Sequence, residues 1–388
     1  MKIGVFSDSY KPYVSGVVNS IDDFTRELRT LGHEVYIFAP RYSGYQEEEP
    51  GVFRFHSFRA PTNPDYTLAI PFTLNFNSLI KRLNLDLIHV HTPFIMGRVG
   101  AVQARRLNVP LIFTYHTLYE QYVHYVPFNQ NLTRKFTVHF SRYFCNQCDL
   151  VITPTSKIRE LLLDYGVKTP VEIIPSGIDI ERFSHGDASC LRQKLGISPN
   201  ERILLFVGRL TKEKNVDFLI RAFALVQQQH PQTVLVIVAQ GPEEEHLRHL
   251  IKELGLVERV FFTGRLGGQE LVNCYHGADL FVFSSVTETQ GLVVVEAMAA
   301  GLPTVAVDAY GVSDMVNSGI DGLLTPYSLE AFAAGINQLL GDPKQLDSMA
   351  VAARARAQEL SSTRLAQRML LEYQEVLRRR KRVPLFIG

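Results

Sequence analysis

The chain has 388 residues, more than one ordinary hydrophobic core accommodates, and so predicts two domains or three. Forty basic against 39 acidic residues leave a net charge of +1, which excludes a dedicated nucleic-acid binder with its large basic excess. Four cysteines in this length are too few for a disulfide scaffold, so a reducing cytoplasm is the expected compartment.

In MKIGVFSDSY a single lysine precedes a short apolar run that Ser7, Asp8 and Ser9 break at once. It reads as the first strand of a domain and not as a signal peptide. No uncharged apolar stretch reaches the length of a membrane span, since Glu296 cuts even the glycine-punctuated run 287–305. The expected protein is soluble or sits on a surface.

Two segments share one grammar. Residues 2–40 read strand, glycine-containing loop, helix, turn at Gly32, strand; residues 202–242 read strand, basic loop, helix, turn at Pro231, strand. The strands are continuous apolar runs, as expected where helices cover both faces of a parallel sheet. Further strands are predicted at 86–93, 110–117, 149–155 and 171–177, then at 260–264, 279–285 and 303–308. Alternation of this kind predicts an α/β fold of two Rossmann-like, doubly wound domains. The expected organisation is an N-terminal domain over 1–180 and a C-terminal domain over 200–361. The polar segment between them lacks a strand, and a helical tail over 362–388 is expected to cross back to the first domain. Two such domains are expected to face each other across a cleft, with their chemistry in the loops just after the strands.

After the strand at 203–207, Arg209 and Lys214 flank a loop that leads into a helix, with Gly208 giving backbone access. A guanidinium and an ammonium beside a helix N-terminus suit a diphosphate. After the strand at 279–285 come Glu288, expected in a loop, and Glu296, expected inside a helix eight residues on. At the helical rise the two carboxylates stand about 10 Å apart. The amides of Gly291, Leu292 and Val293 fall between them, where a helix dipole attracts phosphate. A carboxylate is also a natural acceptor for a vicinal diol. A capping acid plus a surface glutamate would leave Glu296 poorly explained among Val295, Ala297 and Met298.

These residues carry a resemblance. Glu288-x7-Glu296 followed by AMAAGLPTVA resembles the signature of the retaining GT-B glycosyltransferases, family 4 in particular. GRLTKEKN, the SGVVNS loop and PSGIDIERF (175–183) match the same family in order and position, over nearly the whole chain. The resemblance implies that Glu296 holds ribose hydroxyls, that Glu288 holds the transferred sugar, and that Arg209 and Lys214 stabilise the diphosphate leaving group. Gln290, Gly291, Leu292 and Val293 join the donor set, and Gly241, Arg265 and Leu266 edge the base. It further implies that Gly16 and Val17 let the backbone approach the donor, and that His116, after the strand at 110–115, contacts the donor sugar.

Asp8, after the first strand, is a candidate polar group on the acceptor side. His89 and His91 alternate on one strand and invite a zinc reading. No further acidic or cysteine ligand lies at a diagnostic spacing, so His91 is expected to line the cleft and His89 to pack. Cys145 and Cys148 form a lone C-x-x-C, read as structural. No D-x-D metal clamp occurs, Asp179-Ile180-Glu181 being the nearest approach, and no metal or other cofactor is expected.

For the acceptor, residues 116–144 interleave aromatics with basic groups: Tyr119, Tyr122, His124, Tyr125, Arg134, Lys135 and Arg142. The pattern H-T-x-Y-x-x-Y-x-H-Y resembles the bacterial diacylglycerol glucosyltransferases and implies a lipid acceptor at the inner face of a membrane. Exposed aromatics with basic residues, and the run Arg378 to Arg382 before VPLFIG, suit anionic head groups. The expected reaction moves a hexose, glucose by this resemblance, from a nucleotide diphosphate sugar such as UDP-glucose with retention of configuration. Phosphatidylinositol or a saccharide as acceptor, a sugar-nucleotide 2-epimerase, and a non-catalytic scaffold are the alternatives.

Overall fold

The computed structural model describes residues 1–60, 63–73, 75–119 and 130–382. Its contacts divide the chain into two compact units, Met1–Gly177 with the C-terminal segment from Ser362, and Ile178–Ser361.

The first unit begins β1 (Lys2–Phe6), α1 (Gly16–Thr30), β2 (Glu34–Pro40) and β3 (Val52–Phe55). An antiparallel hairpin follows, β4 (Ser57–Ala60) with β5 (Asn63–Ala69), then α2 (Phe76–Leu83) and β6 (Leu87–Val90). The unit continues with α3 (Ile95–Leu107), β7 (Leu111–Thr114), α4 (Gln130–Cys145), β8 (Leu150–Thr153), α5 (Ser156–Asp164) and β9 (Val171–Ile173). Seven strands form one parallel sheet in the order β3-β2-β1-β6-β7-β8-β9. Ile3, Phe6, Ile37, Phe38, Ile88, Val90, Ile112 and Phe113 are fully buried, as strands covered on both faces require. Helix α1 starts because Ser15 caps it, its hydroxyl accepting from the Val18 amide, and Val18, Ile21 and Leu28 face inward at helical spacing.

The second unit opens with two short helices, α6 (Ile180–Ser184) and α7 (Ala188–Leu195), before β10 (Arg202–Arg209). Then come α8 (Val216–Gln229), β11 (Thr233–Gln240), α9 (Glu244–Glu253), β12 (Val260–Phe262), α10 (Gly268–Gly277) and β13 (Leu280–Phe283). The rest is α11 (Leu292–Ala299), β14 (Thr304–Val307), α12 (Val312–Met315), β15 (Gly322–Thr325), α13 (Leu329–Gly341) and α14 (Pro343–Glu359). The parallel sheet runs β12-β11-β10-β13-β14-β15. The order reverses between β10 and β13, just as it does between β1 and β6 in the first unit. At such a switch point the loops after two adjacent strands diverge and leave a crevice.

Last, α15 (Ser362–Arg382) returns to the first unit. The hydroxyls of Ser362 and Thr363 donate to Glu27 of α1 at 3.4 and 2.8 Å, and Arg368 donates to the Ile173 carbonyl at 2.9 Å.

Three expectations need correction. Residues 178–199 are not a polar connection but part of the second unit, because Ile180, Phe183, Leu191 and Ile197 bury there and Asp179 and Asp187 cap α6 and α7. Arg209 is still in strand β10, paired in register with Gln240, where the predicted strand stopped at 207. Strands β3, β4, β5 and β15 were not anticipated. Pro64 inside β5 breaks the strand pattern and is tolerated because that hairpin is a separate two-stranded sheet.

Candidate active site

In the second unit, the chain leaving β10 enters a single 3-10 turn, Lys212–Lys214, and then Asn215 takes a left-handed conformation, φ 56°, before α8. Asparagine tolerates that region better than most residues. The turn is clasped from the neighbouring strand end. Ser284 Oγ donates to the Lys214 carbonyl at 3.0 Å, Ser285 Oγ to the Glu213 carbonyl at 3.2 Å, and Asn215 Nδ2 back to the Ser284 carbonyl at 3.3 Å. Both serines are fully buried, so these hydroxyls hold their partners without competition from water. The clasp delivers Lys214 to Glu288, and the two form an ion pair with only 16% and 18% of their side chains exposed.

Glu288 sits in the loop after β13, pinned from the far side where the Gly311 amide donates to its carbonyl at 2.9 Å. A Cβ at Gly311 would stand 2.0 Å from the Thr289 carbonyl oxygen, so only glycine allows this approach. Gln290 is buried, and Gly291, φ 86°, turns the chain into α11. Leu292 and Val293 thus head a helix, where first-turn amides lack intrahelical acceptors. Eight residues beyond Glu288, the half-buried Glu296 accepts a 2.7 Å hydrogen bond from the phenol of Tyr275 on α10. Burial, reinforced by the Glu296 charge, pushes the Tyr275 acidity far above its ordinary range, so this phenol stays protonated.

The other residues of the predicted donor set are scattered around this core. Arg209 is 64% exposed and lies 3.9 Å from Glu213. Gly241 follows β11, where a Cβ would come within 2.4 Å of the Leu210 carbonyl oxygen, so its glycine answers a close backbone approach. Arg265 is exposed and Leu266 half-buried, beyond β12.

In the first unit, Gly16 was predicted within a loop and instead opens α1 as an exposed first helical residue, with Val17 half-buried, because Ser15 supplies the cap. Asp8 is turned inward. Its Oδ1 accepts from the Met96 amide of α3 at 2.9 Å and its Oδ2 from Thr92 Oγ1 at 2.5 Å, so it ties the ends of β1 and β6 together. Burial raises its pKa against the opposing pull of these hydrogen bonds.

Three histidines gather on this side. His91 Nδ1 and His116 Nε2 share a hydrogen bond at 2.9 Å and their rings stack, while the His89 ring lies 4.2 Å from that of His91. His89 is itself held at both nitrogens, by Tyr373 Oη of α15 at 2.6 Å and Thr114 Oγ1 at 2.7 Å. Burial lowers all three: His89 to about 3, His116 to about 4, and His91, also opposed by its histidine neighbours, well below the usual range. They are neutral imidazoles at working pH. His91, predicted to line a cleft, is 3% exposed and serves His116 instead. His89 packs as expected. Among the described residues no three of His, Cys, Asp and Glu gather as a metal site.

Of the acceptor candidates, Tyr119 is half-buried and packs edge-on against Phe94 and Tyr115. Tyr122, His124 and Tyr125 lie outside the described residues. Arg134 and Lys135 are exposed on α4 beside Phe136 and Tyr143, which are 68% and 60% exposed. Cys145 and Cys148 are buried free thiols, and burial pushes Cys145 up to about 12. The C-terminal basic run is largely engaged within its own unit: Arg378 and Arg379 pair with Glu375, and Arg380 with Asp149 and Asn108. VPLFIG lies outside the described residues.

Ser284, Ser285, Asn215, Tyr275 and Tyr373 were not singled out in the sequence. The signal for the serines was present, two small polar residues ending an apolar strand; the tyrosines had none.

Comparison with known proteins shows the family to which the chain belongs. The family model for Glycosyltransferase Family 4 matches residues 14–182, and that for Glycosyl transferases group 1 matches residues 188–356. The chain is 33% identical over 354 residues to the alpha-monoglucosyldiacylglycerol synthase of Streptococcus pneumoniae, covering 88% of this chain and 79% of that protein. The GDP-mannose-dependent alpha-mannosyltransferase of Corynebacterium glutamicum is 30% identical over 401 residues, covering 100% of this chain and 92% of that protein. Among solved structures, Anabaena HepE in complex with UDP superposes with a TM-score of 0.79 at 23% identity, covering 97% of this chain and 100% of HepE. The chain therefore belongs to the GT-B glycosyltransferases, with a family 4 domain in its first half and a group 1 domain in its second.

Proposed function

We propose that the protein transfers glucose from UDP-glucose to 1,2-diacylglycerol, with retention of configuration, at the anionic inner surface of a cell membrane. One observation carries the acceptor: the 33% identity to alpha-monoglucosyldiacylglycerol synthases, which recurs in the Acholeplasma laidlawii protein over 318 residues. That name specifies an α-glucoside. UDP-glucose holds its glucose α-linked, so an α-linked product means net retention.

In this reading the donor binds at the switch point of the second unit. Lys214, Arg209 and the first-turn amides of α11 take the diphosphate, Glu296 the ribose diol and Glu288 the glucose hydroxyls. Gly241, Arg265, Leu266 and Gln290 border the rest of the nucleotide. The Lys214–Glu288 pair supplies a logic for the exchange. An arriving diphosphate competes for Lys214, and a Glu288 so released turns its acceptor oxygens to the sugar. As the C1–O bond to the diphosphate breaks, Lys214 and the helix amides stabilise the growing negative charge, the task a metal ion performs elsewhere. The acceptor hydroxyl bonds to C1 on the same face, and its proton passes to the departing phosphate oxygen.

Helix α4 supports a lipid surface as the acceptor's setting. It carries Arg134, Lys135 and Arg142 with no acidic residue, beside exposed Phe136 and Tyr143. No helix among the described residues is long and apolar enough to cross a membrane.

The test is a mass-spectrometric panel pairing UDP-glucose, UDP-galactose and GDP-mannose with diacylglycerol, phosphatidylinositol and soluble saccharides. Monoglucosyldiacylglycerol from UDP-glucose is expected, together with flotation on anionic but not zwitterionic vesicles at low salt. Transfer only to a soluble acceptor, or only from GDP-mannose, overturns the proposal. The second of these outcomes has its own support in the mannosyltransferase that aligns with the full chain.

A further inference from the structure

We infer that Tyr275 is a positioning residue for Glu296, and that it sets how strongly the site demands a ribose 2′-hydroxyl on the nucleotide. The inference rests on the reading of Glu296 as the ribose-binding acid and extends it to the residue that donates a hydrogen bond to that acid.

Tyr275 is 1% exposed, and its ring is fixed by Phe183 at 6.0 Å, edge-on, and by Phe281 at 5.9 Å. Its phenol donates to Oε2 of Glu296 at 2.7 Å, a distance typical of a strong bond to a charged acceptor. Glu296 lies in α11 between Val295 and Ala297, both fully buried. A carboxylate in such surroundings needs a donor, and a terminal carboxyl torsion is otherwise broad and unspecific. A rigid phenol bonded to one oxygen fixes the plane of the carboxylate. Bidentate reception of a vicinal diol requires that plane to be set before the ligand arrives. Tyr275 reaches Glu296 from a different helix, so the fixing is a tertiary device rather than a property of α11.

A merely structural tie between α10 and α11 would cost stability without altering which nucleotide is preferred. The experiment therefore reads a ratio. The affinities of UDP and 2′-deoxy-UDP are measured by calorimetry for the wild type, Tyr275→Phe and Glu296→Gln, alongside kcat and KM for UDP-glucose. The wild type is expected to favour UDP by about tenfold or more, the worth of a charged hydrogen bond. Glu296→Gln should lose most of that preference. Tyr275→Phe should lose a several-fold part of it, raise KM, and leave kcat within about threefold of wild type. If Tyr275→Phe keeps the full preference while Glu296→Gln loses it, the role of Tyr275 is overturned and the ribose reading stands. If Glu296→Gln also keeps it, the ribose reading itself is overturned. Because each variant's ratio is taken on its own folded fraction, reduced stability moves neither comparison.

Discussion

The two units build the same sheet reversal and fill it differently. Between β1 and β6 the loops meet through Asp8, Thr92 and the Met96 amide, all buried, with the neutral histidines 89, 91 and 116 close by. Between β10 and β13 they meet through Lys214 and Glu288, a charged pair at partial exposure. A buried polar group is stable when hydrogen-bonded to fixed partners, and the first unit spends its strand-end polarity on holding itself together. The second keeps charge where an anion can compete for it. Topology alone thus offers two crevices, and the proposed donor site takes the one whose charged pair stays partly exposed.

That contrast can be broken or sharpened. The largest effect should come from Glu288→Gln, which removes charge from the second crevice while keeping shape. A fall in kcat of about 10²–10³ is expected, with UDP affinity unchanged or improved because Lys214 has lost its competitor. Stopped-flow or single-turnover rates beside UDP calorimetry read both arms, and a wild-type kcat would remove Glu288 from the chemistry. Next, Lys214→Ala should weaken UDP binding by about 10–100-fold, since Glu288 is then an unneutralised negative charge facing the phosphates.

In the first unit the expected signature is pH-dependent stability. A histidine held neutral by burial binds fewer protons folded than unfolded, so stability should be flat above about pH 6.5 and fall as the pH drops below it. The fall continues to about 4 for His116 and about 3 for His89. Each such histidine contributes up to about 1.4 kcal/mol per pH unit in that window. Urea unfolding at pH 7, 6 and 5 measures the slope, and His89→Gln should flatten it. Smallest of all, Asp8→Ala should cost on the order of 1–2 kcal/mol by removing the α3 cap, with UDP affinity untouched. A loss of nucleotide binding there would show that the first crevice is not merely structural.

Both sheets were legible in the sequence because their strands are apolar runs spaced by amphipathic helices, a local pattern. Glu288, Glu296, Arg209 and Lys214 stood out for a related reason: charge at strand ends and inside apolar helices is locally anomalous. What stayed hidden was pairwise. Lys214 and Glu288 are 74 residues apart, and Tyr275 and Glu296 are 21 apart on different helices. Nothing in either segment announces its partner, since the meeting depends on sheet order. The start of the second unit was misread because 178–199 buries its apolar residues through two helices of five and eight residues, too short to show a period.

The return of α15 has a consequence for how the protein is made. His89 waits for Tyr373, a residue 284 positions later, so its buried hydrogen bond cannot form until the chain through Tyr373 has left the ribosome. The second unit, continuous from 178 to 361, can close on itself before then. A nascent or truncated chain ending before Ser362 would present α1 and the His89 ring without their covering helix. Such a chain would be a substrate for chaperones or proteases rather than half an enzyme.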